Sequence, residues 1–159
     1  MSKLPPIFKR IHKARGGVAA IHHAFSDFPH GVEAHFDFYS SIMLHEPLPL
    51  PRREREWLAV KVSQANQCPY CVAHHRAALR KLGGSKRAKK RYSCLTLLAE
   101  ILTKEPWRAS SLKPIFLEAG FSDPEWQHAI MIVGYFNFAN RCAFAMNVEV
   151  EPDFTETCN

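Results

Sequence analysis

The segment QCPYCVAHH, residues 67–75, holds two thiols and an imidazole at helical spacing. Cys68 and Cys71 are separated by two residues, and His75 follows Cys71 by four. On a helix this spacing brings the two cysteine Cα atoms to roughly 5–6 Å, where a disulfide closes without strain. It also puts the imidazole over the face that carries Cys71. The pair can therefore cycle between dithiol and disulfide while His75 exchanges a proton with a sulfur.

The helices around this segment favour a reactive thiol. A helix is predicted over residues 52–67, and Pro69 fits the first turn of the next one, where its missing N–H costs nothing. Cys68 then lies at the N-cap and Cys71 in the first turn. Free amide hydrogens and the positive end of the helix dipole favour the thiolate form at such positions.

Glu56 is the acidic residue that can set the protonation state of His75. It lies on a helical stripe that ends beside Cys68. In an antiparallel hairpin of the two helices, Glu56 lies about 15 Å back from the turn and His75 about 10 Å. The remaining offset is within reach of a glutamate side chain plus one water. Arg52, four residues earlier, and Arg53, three residues earlier, offer the alternative that Glu56 only forms a surface salt bridge.

The rest of the chain predicts helices throughout. Its 159 residues are 47% apolar, which suits a single domain over residues 1–159 with a motif core at 52–82. Helical periodicity and helix-breaking residues predict seven or eight helices and an all-α fold. The last helix opens at a capping box, with Ser122 at the cap and Glu125 three residues on, and is expected to run to about Met146. It is apolar on almost all sides, which is typical of a core or a subunit interface.

The net charge and the cysteine content indicate which partners and which cellular location to expect. The net charge is +6, with the densest cluster at Lys86–Arg91, interpreted as a solvated helix start because no nucleic-acid motif accompanies it. Five cysteines with one close pair do not form a disulfide framework. Cys94 and Cys142 are predicted core residues, and Cys158 a tail thiol. Since no signal-type or membrane-spanning apolar run is present, we predict a cytoplasmic protein without a membrane partner.

The four candidate residues together resemble a known family signature. Glu56, eleven residues, Cys68, two residues, Cys71, three residues and His75 is similar to the E-x11-C-x2-C-x3-H pattern of the alkylhydroperoxidase D (AhpD-like) family, within the carboxymuconolactone decarboxylase superfamily. The segments REREWLAVKVSQANQCPYCVAHH and YFNFANR resemble the peroxidase-related branch of that family. The specific motif occupies only the stretch from Glu56 to His75.

This resemblance implies an AhpD-like all-helical fold, a homo-oligomer that is a trimer or hexamer, and a thiol-dependent peroxidase. If the roles of the matching family residues apply here, Cys71 attacks the peroxide, and Glu56 and His75 relay the proton of the Cys71 thiol. Cys68 then resolves the sulfenic acid as a disulfide. A thiol or dithiol reductant then restores the pair, and no cofactor is implied. Tyr70 stands where the best-known member has a second histidine. The relay is therefore shorter here, or Tyr70 donates a hydrogen bond in its place.

Three other functions use the same residues or the same superfamily. A thiol–disulfide exchange protein needs only the exposed cysteine pair. A zinc site could draw three ligands from Cys68, Cys71 and His75, and a fourth from His74 or Cys94. No second metal-binding pair is present to close such a site, so no metal is predicted. Lactone decarboxylation, known in the superfamily, belongs to enzymes that lack the cysteine pair.

Overall fold

Helices account for the regular structure in the computed structural model, which describes residues 5–83, 89–152 and 154–157. These residues form eight α-helices and two 3-10 helices, with no β-strand among them, so the predicted all-α class and helix number are confirmed. The α-helices are α1 (Pro6–Arg15), α2 (Ala20–His23), α3 (Pro29–Met43), α4 (Arg52–Ala65), α5 (Pro69–Lys81), α6 (Lys89–Lys104), α7 (Lys113–Glu118) and α8 (Asp123–Ala145). The 3-10 helices span Pro106–Leu112 and Phe154–Thr157.

A tight turn joins α4 to α5 and delivers the first cysteine to its position. Gln67 adopts a left-handed φ of 57° and donates its N–H to the Gln64 carbonyl at 3.0 Å, while the N–H of Cys68 bonds to the Ser63 carbonyl at 2.9 Å. This is the Schellman pattern that satisfies the last carbonyls of a helix. Cys68 is also the N-cap of α5, and Pro69 occupies its first turn, as predicted.

Helix α8 is the longest helix of the described residues and packs against α3, α4 and α6. It opens with the predicted capping box, because the N–H of Ser122 donates to Glu125 Oε2 at 2.7 Å and the Ser122 side chain accepts from the Glu125 N–H. The helix ends at Ala145, one residue from the predicted end. Two of its large apolar side chains stay in contact with solvent, with Phe138 48% and Phe144 53% exposed.

Three apolar clusters form the interior of the described residues, and two of them surround the helices that carry the motif. The larger one draws on α1, α3, α4, α6 and α8 and includes Cys94, as predicted. The smaller one contains both cysteines of the motif, together with Ile21, Tyr70 and Ala143. The motif thiols therefore lie in apolar surroundings at the end of α8, where burial disfavours charge unless hydrogen bonds offset it.

The predicted solvated start of α6 is wrong for Arg91. Its guanidinium donates to Glu54 at 2.8 and 2.9 Å and to Glu125 at 2.6 Å, and it lies 3.7 Å over the ring of Phe121. Lys90 donates to the Glu118 carbonyl at 3.0 Å. Lys86 and Arg87 lie outside the described residues. The charge cluster is thus partly structural, since the buried carboxylate of Glu54 on α4 and the partly buried one of Glu125 on α8 require a cationic partner.

Within the described ranges, every helix is too short or too polar to cross a lipid bilayer.

Candidate active site

The two motif cysteines are free thiols with different protonation preferences. Cys68 is 1% exposed and Cys71 5%. The S–H of Cys71 and the N–H groups of Tyr70 and Cys71 bond to the Cys68 sulfur and, against the effect of burial, lower the pKa of Cys68 to about 7. The pKa of Cys71 is raised, because its S–H donates to Cys68 and because it is buried. The first thiolate of the pair therefore forms on Cys68.

Glu56 and His75 are in direct contact. The Nδ1–H of His75 donates to Glu56 Oε2 at 2.7 Å, without the bridging water that the sequence analysis allowed for. The Arg52 guanidinium donates to the other oxygen, Oε1, at 2.8 Å. Glu56 is 0% exposed, so the alternative of a surface salt bridge is wrong, although its partner Arg52 is correct. Both interactions occur at once, one on each carboxylate oxygen.

This pairing determines the charge of the site. Burial opposes ionisation of Glu56, but the nearby His75 and Arg52 outweigh it and lower the pKa of Glu56. An ionised carboxylate keeps the proton of His75 on Nδ1, which leaves Nε2 as the nitrogen that can accept a proton. The arrangement is that of a histidine base oriented by a carboxylate.

The two cysteines line different pockets. Cys71 and His75 line a cavity of about 70 Å³, together with residues of α1, α2, α3 and α8. Cys68 instead lines an open groove of about 310 Å³ between α5 and the end of α8 with the residues that follow it; Phe144 and Val148 line this groove. A small molecule can thus approach one sulfur while a larger partner approaches the other.

Tyr70, between the cysteines, holds the N-terminal part of the chain in place. Its hydroxyl accepts a hydrogen bond from the N–H of Ile21 at 3.2 Å, and its ring packs 4.5 Å from that of His74. From the sequence, Tyr70 could either be absent from the relay or donate a hydrogen bond in it. In this bond it is an acceptor, and the contact fixes helix α2 over the cavity.

Asn140 is a residue of the site that the sequence analysis missed. Its amide donates to Ser63 Oγ at 3.1 Å and accepts from Asn66 at 2.9 Å, and it is 0% exposed. Its side chain also hydrogen-bonds to Cys71 and so partly offsets the rise in the pKa of that thiol. The available signal was a polar residue on an otherwise apolar stretch of α8, within the quoted segment YFNFANR.

The remaining candidates lie apart from this arrangement. His74, considered as a zinc ligand, bonds through Nε2–H to Glu151 at 3.0 Å, and Cys94 lies in the main core. Cys142 is half-buried and packs against the smaller cluster, while Cys158 lies outside the described residues. Among the residues described, no three His, Cys, Asp or Glu side chains are grouped as metal ligands.

Comparison with known proteins gives a family match over part of the chain and the fold of the whole. Residues 31–88 match the model of the carboxymuconolactone decarboxylase family. A search of curated proteins found no significant match. Among solved structures, an uncharacterised peroxidase-related protein from Silicibacter sp. TM1040 is 24% identical, with a TM-score of 0.85 over 100% of this chain and 92% of the other.

Two further structures share the fold. An alkylhydroperoxidase AhpD core protein from Ralstonia eutropha JMP134, called peroxidase-related and uncharacterised, is 21% identical, with a TM-score of 0.80 over 97% of this chain and 93% of that one. The debrominase Bmp8 is 17% identical, with a TM-score of 0.73 over 98% of this chain and 89% of its own. A cysteine-to-alanine variant of Bmp8 has been solved in complex with 2,3,4-tribromopyrrole.

Proposed function

Because residues 31–88 match the model of the carboxymuconolactone decarboxylase family and the chain has the AhpD-like fold, we propose that it is a thiol-dependent peroxidase acting through Cys71. The observation that carries the proposal is the 2.7 Å bond between ionised Glu56 and His75 on the cavity that Cys71 also lines. Because the debrominase Bmp8 shares the fold, the choice of reaction depends on these side chains and not on the architecture.

The first step needs a base, because the pKa of Cys71 is raised. In the proposed reaction His75 takes the thiol proton at Nε2, and Glu56 stabilises the imidazolium that forms. The Cys71 thiolate attacks the terminal peroxide oxygen and the O–O bond breaks. The leaving alkoxide takes the proton from His75 and departs as an alcohol. Sulfur is oxidised by two electrons to a sulfenic acid, and the peroxide is reduced by two.

Cys68 completes the cycle in this proposal. Its pKa of about 7 makes it substantially thiolate at neutral pH, so it can attack the Cys71 sulfenic acid. Hydroxide leaves, takes up a proton and becomes water, and a Cys68–Cys71 disulfide remains. A thiol or dithiol reductant attacks this disulfide by exchange and restores both thiols. The groove beside Cys68 is the face we propose for that reductant.

We also propose that the protein is a homo-oligomer, a trimer or hexamer. Helix α8 leaves Met131 48%, Phe138 48% and Phe144 53% exposed. Large apolar side chains grouped on one helix favour burial against a partner surface. Sedimentation velocity at micromolar concentration tests this, and a monomer under those conditions contradicts it.

The peroxidase proposal is tested by the loss of free thiol in the reduced protein. After stopped-flow mixing with ethyl hydroperoxide, the wild type should lose two thiols per chain and form the Cys68–Cys71 disulfide. Cys71→Ser should be inert. Cys68→Ser should accumulate the sulfenic acid, which a dimedone probe traps. A wild-type rate no faster than that of free cysteine contradicts the proposal.

Thiol–disulfide exchange is the second candidate function. It is favoured by one observation, a Cys68 thiol with a pKa of about 7 that opens on a groove separate from the cavity. Exchange needs neither Glu56 nor His75. If Glu56→Gln abolishes peroxide reduction but keeps the rate of disulfide exchange with a dithiol peptide, both activities belong to the protein. If peroxide reduction is absent from the wild type and exchange is fast, exchange is the function.

A further inference from the structure

A buried histidine outside the motif lines the same cavity as Cys71. His22, on α2, is 9% exposed. Neither of its ring nitrogens, Nδ1 and Nε2, has a hydrogen-bond partner within the part of the chain that the structure describes. Buried polar atoms are nearly always paired, so two unpaired nitrogens on one ring indicate a position where the protein bonds to another molecule.

The other polar groups that line this cavity are paired. Tyr135 bonds to His35 at 2.8 Å, and His74 bonds to Glu151 at 3.0 Å. His75 bonds to Glu56, and Arg15 donates to the Tyr39 hydroxyl. His22 therefore differs from its neighbours in offering hydrogen bonds that the fold does not use. Both nitrogens are covered in the present arrangement, so binding requires the ring to turn slightly towards the cavity.

The ring of His22 is uncharged at physiological pH. Burial, together with the smaller effect of the surrounding positive or potentially positive groups, lowers its pKa to about 3. These groups are His35 on α3, Arg15 on α1, His23 on α2 and His74 on α5. A neutral imidazole offers one N–H donor and one acceptor nitrogen and gains little from a charged ligand. An alcohol or a hydroperoxide group, which both donates and accepts, matches it.

The cavity sets an upper size for the molecule. Its volume is about 70 Å³. An apolar cavity that holds benzene has a volume of about 150 Å³, so this one suits a ligand smaller than a benzene ring. Its walls include Ile11, Ile21, Phe36 and Phe136, which favour an aliphatic body on that ligand. The space thus fits a short alkyl chain with one polar head.

We propose that His22 is the substrate-recognition residue of this site. Its neutral ring hydrogen-bonds the polar head of a short-chain, uncharged alkyl hydroperoxide, or of the corresponding alcohol product, held against Cys71. The reactive form of this ligand depends on the proposed peroxidase function, whereas binding of the alcohol does not. His22 comes from a segment that the motif does not include, and Tyr70 holds that segment by its bond to Ile21.

The binding test uses 1-propanol and the reduced wild-type protein, because the alcohol cannot react. Long-range ¹H–¹⁵N correlation spectra resolve the two ring nitrogens of each histidine. Saturable shifts of the His22 nitrogens with 1-propanol are expected, with weaker or no shifts for 2-phenyl-2-propanol, which is too large. Propionate serves as the charged probe and should not shift His22. Absence of a saturable shift with 1-propanol, or shifts with propionate alone, overturns the proposal.

The kinetic test uses His22→Phe, which keeps a planar ring and removes both nitrogens. Its control is His23→Phe, because the neighbouring side chain is exposed and does not line the cavity. We expect kcat/KM for ethyl hydroperoxide to fall roughly fivefold to tenfold in His22→Phe, as for one lost hydrogen bond to an uncharged partner, and to stay within about twofold in His23→Phe. Wild type should prefer ethyl over cumene hydroperoxide.

The two tests separate this proposal from the peroxidase function. Binding of 1-propanol at His22 without any peroxide reduction keeps the binding site and rejects the peroxidase. Rapid peroxide reduction with equal rates in His22→Phe and wild type rejects the role of His22 and keeps the peroxidase. If His22→Phe does not fold, the wild-type spectra still decide the binding question.

Discussion

Two buried glutamates on α4, Glu54 and Glu56, lie two residues apart but bond to different kinds of partner. Glu54 is 2% exposed and Glu56 0%. Both oxygens of Glu54 accept from Arg91, at 2.9 and 2.8 Å, and Arg91 also bonds to Glu125. Glu56 shares its oxygens between Arg52 and His75. The two glutamates share residue type, helix and burial. Any difference in what they can do chemically therefore comes from their partners.

An arginine and a histidine differ in what they allow a carboxylate to do. Arginine stays charged at every relevant pH, so the Glu54 cluster can hold helices together but cannot transfer a proton. Histidine gains and loses a proton near neutral pH, so the Glu56 cluster can orient a base. His75 lines the same cavity as Cys71, so this base lies where a reaction of the thiol could use it.

The largest expected effect is on the rate of peroxide reduction. Glu56→Gln removes the charge that orients and stabilises protonated His75, and should slow thiol oxidation by ethyl hydroperoxide about 100-fold. Glu54→Gln is the matched control on the same helix and should stay within about threefold of wild type. Stopped-flow thiol loss measures both. Equal slowing in the two variants means that α4 as a whole, and not Glu56, matters for the rate.

The second effect concerns stability. Arg91→Met leaves Glu54 and Glu125 without their shared cation and should lower the free energy of unfolding by about 2–4 kcal/mol, while thiol oxidation in the folded protein is unchanged. Urea unfolding measures the loss. Lys113→Met is the control, because its bond to Asp123 is exposed on both sides and should contribute less than about 1 kcal/mol. Similar losses in both variants contradict the structural role of Arg91.

The third prediction concerns the pKa of Cys68 in wild type and in the two glutamate variants. The hydrogen bonds that lower the pKa of Cys68 come from Cys71 and backbone N–H groups, and neither glutamate contributes. Alkylation of Cys68 by iodoacetamide should therefore rise about tenfold from pH 6 to pH 8, with a midpoint near 7, in wild type and in both glutamate variants. Mass spectrometry of the alkylated peptide checks the site. A midpoint that moves in Glu56→Gln shows that the relay also acts on Cys68.

The smallest effect is on acid stability. The pKa of Glu56 is lower in the folded protein than its ordinary value, so the unfolded chain binds more protons at acid pH. The contribution of its carboxylate is present above about pH 5 and is lost as the pH falls through the folded pKa. Glu56→Gln should therefore lose less stability than wild type between about pH 5 and pH 3. Urea unfolding at several pH values tests this, and parallel losses contradict it.

Local patterns predicted the elements that carry the site. The capping box at Ser122, Pro69 in a first turn and Cys68 at an N-cap depend on a few neighbouring residues, and the structure has all three. Long-range contacts were harder to predict. The predicted solvated start of α6 is wrong at Arg91, whose partners Glu125 and Glu54 lie 34 and 37 positions away in sequence.

In the candidate site too, local contacts could be predicted from the sequence and long-range contacts could not. The sequence analysis placed Glu56 and His75 near each other, since a helix hairpin has few possible registers. The motif does not point to Asn140, which bonds to Cys71 from α8, or to His22, which lines the Cys71 cavity from α2. Their contribution depends on how distant helices cross, and helical periodicity carries no information about that.

The sequence by itself determined the helices, the turn that seats the cysteines and the spacing of four reactive side chains, because each depends on contacts within a few residues along the chain. Only the tertiary structure decided which thiol is ionised first, which glutamate meets a histidine and which meets an arginine, and which residues enclose the cavity. These properties depend on burial and on partners brought together by packing. Their physical basis is the cost of placing charge and unpaired polar atoms away from water.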